Sequence, residues 1–447
     1  MSLSSVFNSE RIESGLQKIL LIGYSKILKK EPSEKIKNFF TNFGYLALAE
    51  LIGSVIGFPI KILVGRFLGP EEYGKYALIL NLTQFFIIPM LLGFSTAVLQ
   101  YLPSHPEKKS RIMTIVFACT IVTTGFFTLF FLLTPHIWTS LFNVSRDIFI
   151  WTIAYSIIYV FYYVLEAFQR GSHRFFLLFW ITILNSSVLL ITFLIFLFGF
   201  HQETYQTFIT ANIVAFASSC VVFLYFFFFK DKPDYTPDAQ LTKKILSYSG
   251  LATLGGITGF IIGNTDRLFL NHYASLYWVG VYAAYTNAST FLIGRFFQLF
   301  LNVYFPTVAK EKDKSAVIHS VQRMYRFAVI PIFIVSVLSI WGVMLLFGNA
   351  FPILPHFILL FSFNNCLMVL YQLQMWLFNA QGNRGMKTTS RILIFNAVLN
   401  IILYFFLIQW WGVVGALFSA TITYTIFILY YRNRVRHFIA RGYFNEA

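Results

Sequence analysis

Apolar residues gather in twelve long runs, at 42–65, 76–100, 111–133, 148–169, 175–199, 206–229, 245–270, 279–304, 324–347, 353–380, 389–409 and 412–431. Each run is long enough, as a helix rising 1.5 Å per residue, to cross a hydrocarbon layer about 30 Å thick. Polar residues are concentrated in the short connections, the longest of about 20 residues. Residues 1–41 break the pattern. They are charged and lack an apolar core followed by a small-residue cleavage site, which argues against a cleavable signal. Ile12, Leu16, Ile19, Leu20, Ile27 and Leu28 alternate there with Lys18, Lys26, Lys29 and Lys30, as in an amphipathic helix lying on a membrane surface.

Composition agrees with the pattern. The 447 residues are 57% hydrophobic and only 12% charged, about half the charge of a soluble domain. That excludes a soluble enzyme, a disordered chain and a disulfide scaffold. Cys119, Cys220 and Cys366 all lie inside apolar runs, so neither a bridge nor a metal site is expected.

The net charge of +16 invites a nucleic-acid reading until its placement is considered. Basic residues cluster on one side of the runs: the N-terminal segment, Lys108, Lys109 and Arg111, Arg170 and Arg174, and Lys230, Lys232, Lys243 and Lys244. The same side holds Lys310, Lys312, Lys314 and Arg323, then Arg384, Lys387 and Arg391, and a tail with Arg432, Arg434, Arg436 and Arg441. Only Arg66, Lys75 and Arg146 fall on the other side. Excess positive charge marks the cytoplasmic loops, so both termini are expected in the cytoplasm, and nucleic acid is not needed to explain the charge.

The chain also repeats. An offset of 206 places Gly44 on Gly250, Gly53 on Gly259, Gly57 on Gly263, Lys61 on Arg267, Gly74 on Gly280, Tyr76 on Tyr282, Ala77 on Ala283 and Asn81 on Asn287. An offset of 211 later aligns Gly171 with Gly382 and Asn185 with Asn396. The expected fold is an all-α integral membrane protein: twelve transmembrane helices in two six-helix bundles. The organisation is an N-terminal segment (1–41), one bundle (42–229), a cytoplasmic linker (230–244), a second bundle (245–431) and a basic tail (432–447). Six is even, so the bundles enter the membrane in the same sense and form a parallel repeat, as in transporters that rock about a central cleft. A duplication kept only for packing is the plainer alternative.

Ionisable groups at membrane depth are costly and tend to face a cavity or a partner. Glu50 in the first run and Arg295 in the eighth lie at similar depth on opposite halves, which suits a salt bridge or a shared cavity wall. Asp266 and Arg267 in the seventh run, with Lys61 at the matching place in the first, offer a proton or cation site or simple snorkelling to the interface. Glu166 is interfacial. The Gly53–Gly57 and Gly259–Gly263 pairs read as helix-packing motifs, and Pro59, Pro89 and Pro331 as kinks. Asn364, Asn365, Gln372, Gln374, Asn379, Asn185 and Asn396 suit sugar hydroxyls or interhelical glue, with glue preferred. No phosphate-binding loop, zinc motif or cysteine pair is present, and no outward loop is large enough for a catalytic site.

The segment Arg66-Phe67-Leu68-Gly69-Pro70-Glu71-Glu72-Tyr73-Gly74-Lys75-Tyr76-Ala77 resembles the R-x-L-G-P-E-x-[FY]-G-x-Y-[AS] stretch of bacterial polysaccharide and O-antigen flippases. These belong to the multidrug/oligosaccharidyl-lipid/polysaccharide (MOP) exporter superfamily. Asp266-Arg267-Leu268-Phe269-Leu270 with Val279-Gly280-Val281-Tyr282 is similar to the family's D-x-x-[IL]-[IL]…V-G-x-Y pattern, with Phe269 in place of an aliphatic. Gly412-Val413-Val414-Gly415-Ala416 is similar to its G-x-x-G-A motif, while His272-Tyr273 replaces a small-residue turn.

The resemblance implies the MOP flippase fold, a central and often cationic cavity, and a place in the bacterial cytoplasmic membrane. It implies alternating-access export of an undecaprenyl-diphosphate-linked oligosaccharide, such as an O-antigen, capsule or exopolysaccharide repeat unit. Arg295, Glu50, Arg267, Asp266, Lys61, Asn81, Asn287 and Gln372 are then the candidate cavity residues. No cofactor is expected; an H+ or Na+ gradient or consumption of the product would drive turnover. Membrane lipids, a glycan polymerase and chain-length machinery are the implied partners. An ion-coupled multidrug exporter of the same superfamily, a membrane-embedded polymerase or acyltransferase, and a scaffold without transport activity are the competing readings.

Overall fold

A computed structural model describes the backbone of residues 34–310, 314–379 and 382–440, and the side chains of most of them. Residues 1–33 of the surface segment expected at 1–41, and the side chain of Glu50, lie outside the described residues; residues 34–41 are helix continuous with the first crossing. The helices are α1 (Glu34–Leu91), α2 (Phe94–Ser104), α3 (Lys109–Leu133), α4 (Pro135–Phe142), α5 (Arg146–Gly171), α6 (Phe175–Leu194) and α7 (Tyr205–Tyr225). They continue with α8 (Ala239–Tyr273), α9 (Leu276–Lys310), α10 (Lys314–Phe347), α11 (Pro355–Asn379) and α12 (Gly382–Ala440). No strand occurs among the described residues.

Two of these helices are pairs. In α1 the chain reverses at Gly69 (φ 72°, ψ 173°), and in α12 at Gly412 (φ 53°, ψ −126°). Both conformations are left-handed, open to glycine but strained for a residue with a Cβ. Pro70 then supplies a fixed φ to the first turn of the returning helix.

Among the described residues, nine helices are long and apolar enough to cross a membrane. Two of them, Ile56–Leu91 and Thr388–Arg434, contain the Gly69 and Gly412 reversals and so account for two crossings each. With α9, that gives the twelve crossings read from the sequence. They are called spans 1 to 12 below, with span 1 at 34–68, span 2 at 70–104, span 7 in α8 and span 8 in α9. The protein is a multi-pass membrane protein. Its outward side chains include Val122, Phe126, Leu133, Phe229 and Phe327, each more than 60% exposed. Such a continuous apolar coat is stable only in lipid.

The halves meet along two seams related by the internal repeat. Span 1 packs on span 8, where the rings of Phe58 and Phe291 stack with centroids 3.5 Å apart. Span 7 packs on span 2, where Asn81 Nδ2 donates to Asn264 Oδ1 (3.2 Å) and Phe85 meets Phe260. The 206-residue offset carries Phe85 onto Phe291, and Phe58 onto Asn264. At the face opposite the basic loops the two seams converge on Gly74 and Gly280. A Cβ on Gly74 would run into the Leu276 carbonyl, and one on Gly280 into the Pro70 carbonyl. Leu276 is the repeat equivalent of Pro70, so the contact is reciprocal, as at an isologous two-fold interface.

The basic face carries a feature that counting cations alone does not show. The 230–244 linker supplies three acids to the loops of the first half. Asp231, nearly buried, pairs with Lys109 (2.8 Å) and takes both Arg174 nitrogens at 2.6 and 2.8 Å. Asp234 accepts from Arg111 Nε (2.9 Å), and Asp238 pairs with Lys108 (3.2 Å) while capping the Leu241 N–H at the start of span 7. Hydrogen bonds from the Thr236 hydroxyl and N–H, with the Arg111 guanidinium, hold the Asp234 carboxyl down at about 2. A depressed carboxylate stabilises the docked linker above its unfolded pKa of about 3.9, and that contribution fades as pH falls towards 2. Linker amides, corrected for intrinsic exchange rates, are therefore expected to keep full hydrogen-exchange protection at pH 5–7. They are expected to lose it between about pH 4 and 2, and sooner in high salt because these pairs are partly exposed.

Candidate functional site

Charged residues from both halves come together beside the seams. Lys61 lies about 12 Å along span 1 from Gly69 at 1.5 Å per residue. It lies within electrostatic reach of Arg267 on span 7 and Arg295 on span 8. Arg267 in turn interacts with Tyr73, Tyr76 and Tyr282, and its Nε is buried with no hydrogen-bond partner. Three cations, one from the first half and two from the second, thus share one region.

Asp266 is held by tyrosines of the second half. Its carboxylate accepts the Tyr282 hydroxyl (2.6 Å) and the Arg267 N–H (2.8 Å), and interacts with Tyr404 and Tyr424 from spans 11 and 12. It therefore sits inside the second bundle. The other candidates fall elsewhere. Asn81 is 1% exposed and bonded across the span 2–span 7 seam; Asn287 of span 8 donates to the Tyr73 hydroxyl (3.1 Å) at the start of span 2, where the seams converge. Gln372 is half-buried on span 10. Glu166 pairs with Arg170 at 2.8 Å near the basic face.

The amides of span 10 bind helices together, as preferred above. Asn365 donates to Ser336 and to the Ser289 carbonyl and accepts the Ser289 hydroxyl; Asn364 joins Leu417 and Thr421. Asn396 donates to the Tyr371 hydroxyl and accepts from Asn400. Each such bond within a membrane bundle contributes about 0.6 kcal/mol.

The glycine pairs require a correction. Gly53 meets Thr182 of its own half, but a Cβ on Gly57, Gly259 or Gly263 would find nothing within 4 Å. These three are not helix-packing contacts, because open space lies where a side chain would stand. Glu72 of the Gly69–Tyr76 segment has a structural role: it accepts the Tyr205 N–H (2.9 Å), capping span 6, and holds Lys75 at 2.5 Å. Among the described residues no His, Cys, Asp or Glu cluster suited to a metal occurs, and all three cysteines are free thiols. The parts played by Asn264, Tyr73 and Tyr159 are not legible in the sequence, since only folding shows which polar groups come together.

Solved structures share this architecture. An inward-facing multidrug resistance MATE family transporter of the MOP superfamily superimposes with a TM-score of 0.66 at 16% identity, covering 89% of this chain and 98% of that one. An outward-facing MATE transporter of the same superfamily gives 0.53 at 13%, covering 89% and 96%. The Vibrio cholerae MATE transporter VcmN gives 0.55 at 14%, covering 90% and 97%. Comparison with curated proteins finds no match. A family model described as polysaccharide biosynthesis protein matches residues 39–312, more than half of the chain. With its twelve crossings and repeated halves, the chain belongs to the polysaccharide biosynthesis protein family, on the fold of the MOP-superfamily exporters.

Proposed function

We propose that this membrane exporter carries an undecaprenyl-diphosphate-linked oligosaccharide from the cytoplasmic to the outer leaflet of a bacterial cytoplasmic membrane by alternating access, with both termini cytoplasmic. The observation that carries this reading is the gathering of Lys61, Arg267 and Arg295. Within that group the Arg267 Nε is buried with no hydrogen-bond partner, and a buried guanidinium is retained where an anion compensates it. A diphosphate is such an anion, and guanidinium groups bind its oxygens with charge-assisted, bidentate hydrogen bonds. The lipid tail stays in the bilayer while the head group crosses. The Gly74–Gly280 seam is then the closed gate towards the outer leaflet, where polymerase and chain-length machinery take the product.

The MATE neighbours favour a second reading, export of drugs. A cationic drug would meet like charge at Arg267, whose Nε has no partner, so the anionic cargo is preferred. The test is the distribution of lipid-linked repeat units after deletion of the gene in its own host. Accumulation on the cytoplasmic leaflet with loss of surface glycan supports the flippase. Units that reach the outer leaflet but stay unpolymerised point to a later enzymatic step, and unchanged pools point to another cargo.

For coupling, Asp266 is the carboxylate placed to take a proton or cation, since its tyrosine partners come from spans 8, 11 and 12 and tie its charge state to their packing. Asp266→Asn is expected to abolish the dependence of export on the ion gradient and to lower its rate at least about tenfold, one missing charged interaction being worth 1.5–3 kcal/mol. Unchanged gradient dependence in that variant would remove Asp266 from the coupling step.

A further inference from the structure

A cavity of about 540 Å³ lies between spans 2, 4 and 7. It has the size of a small-molecule site, about 300–1,000 Å³, and different chemistry from the cation cluster. None of its lining residues carries a charge. One wall is helix backbone: Gly255, Gly256 and Gly259 of span 7 line it, and a Cβ on any of them would meet nothing within 4 Å. Facing them, Tyr159 and Tyr163 of span 4 are stacked with centroids 6.0 Å apart, and Tyr163 remains 41% exposed.

The polar groups around it are neutral and converge. Gln84 is hydrogen-bonded to the Tyr159 hydroxyl. Asn264 lines the cavity and accepts from Asn81, whose own Oδ1 is buried without a partner. Asn264 precedes Arg267 by three residues, so the cavity opens about one helical turn, roughly 4.5 Å of rise, from the cation cluster.

The geometry points to a glycan subsite in this cavity, holding the sugar nearest the diphosphate. The inference rests on the cargo reading above and deepens it. A pyranose presents apolar C–H faces and a rim of hydroxyls. Aromatic faces suit the first, amide and phenol groups the second, and the glycine wall lets the ring lie against helix backbone. A charged lining would be expected for a second phosphate, and a uniformly apolar one for the lipid tail. The cavity has neither.

The test uses the full-length protein in lipid nanodiscs and two probes, undecaprenyl diphosphate and the same lipid carrying one neutral hexose. Wild-type protein is expected to bind the glycosylated lipid at least about tenfold more tightly, the equivalent of one or two net hydrogen bonds. Gly256→Leu, which fills the cavity from a position with free space around it, is expected to erase that preference while leaving affinity for the bare lipid within twofold. Gln84→Leu, similar in volume but without the amide, is expected to reduce the preference in the same direction. Equal binding of the two lipids by the wild type, or an undiminished preference in both variants, overturns the subsite alone. Failure of the wild type to bind either lipid overturns the cargo reading together with the subsite.

Discussion

Arg267→Ala is expected to lower glycolipid export at least about a hundredfold while the protein still inserts at normal levels. A bidentate guanidinium–phosphate contact comprises two charge-assisted hydrogen bonds, worth about 1.5–3 kcal/mol each, and 1.4 kcal/mol is a factor of ten. Arg267 is suited to make it because its Nε is buried and has no partner within the protein. Arg295→Ala is expected to abolish export as well, since its cation completes the group around Lys61. Lysine at either position should restore part of the activity, keeping the charge and losing the planar fork. Lys61→Ala removes a point charge and should cost less. Surface glycan, normalised to protein in the membrane fraction, is the readout. Wild-type export in Arg267→Ala and Arg295→Ala alike would take the cation cluster out of the transport path.

Gly74→Val and Gly280→Val are expected to abolish export by another route, with the cation cluster intact. Each adds side-chain atoms where a carbonyl of the opposite half already stands: Leu276 against Gly74, and Pro70 against Gly280. Rigid backbone, unlike a side-chain tip, cannot turn aside, so the clash costs at least the 1–3 kcal/mol typical of overpacking. The seam around it, including the Asn287–Tyr73 bond and the Phe58–Phe291 stack, should separate. Cysteines placed at Tyr73 and Asn287 would report this directly. Cross-linking should be efficient in the parent and reduced at least about tenfold in either valine variant, as a 1.4 kcal/mol bias against closure requires. Undiminished cross-linking would mean that the seam tolerates a Cβ and that close backbone approach is not its basis.

The crossings were legible because lipid imposes a length and a composition that few other environments require, and runs of apolar residues meet both. The repeat was legible for a related reason. Gly74 and Gly280 face each other, each needing the same small residue for the same contact, so the offset that aligns them is visible in the chain. Orientation around each helix was not. Asn81 and Asn287 find their partners, Asn264 and Tyr73, only where the halves meet; Gly259 and Gly263 read as packing surfaces and border open space. Residue type gives polarity and size, whereas the neighbour of a given face depends on how two halves dock. The linker shows the same limit. Asp231, Asp234 and Asp238 were passed over because orientation is read from basic residues, and their roles appear only when the chain brings them to Lys109, Arg111, Lys108 and Arg174.

The most direct measurement is leaflet-resolved movement of undecaprenyl-diphosphate-linked oligosaccharide in proteoliposomes containing this protein alone. The account predicts protein-dependent appearance of the glycan on the opposite leaflet, lost in Arg267→Ala and in Gly74→Val. Transport of cationic drugs at a normal rate, with the glycolipid left where it was loaded, would contradict it.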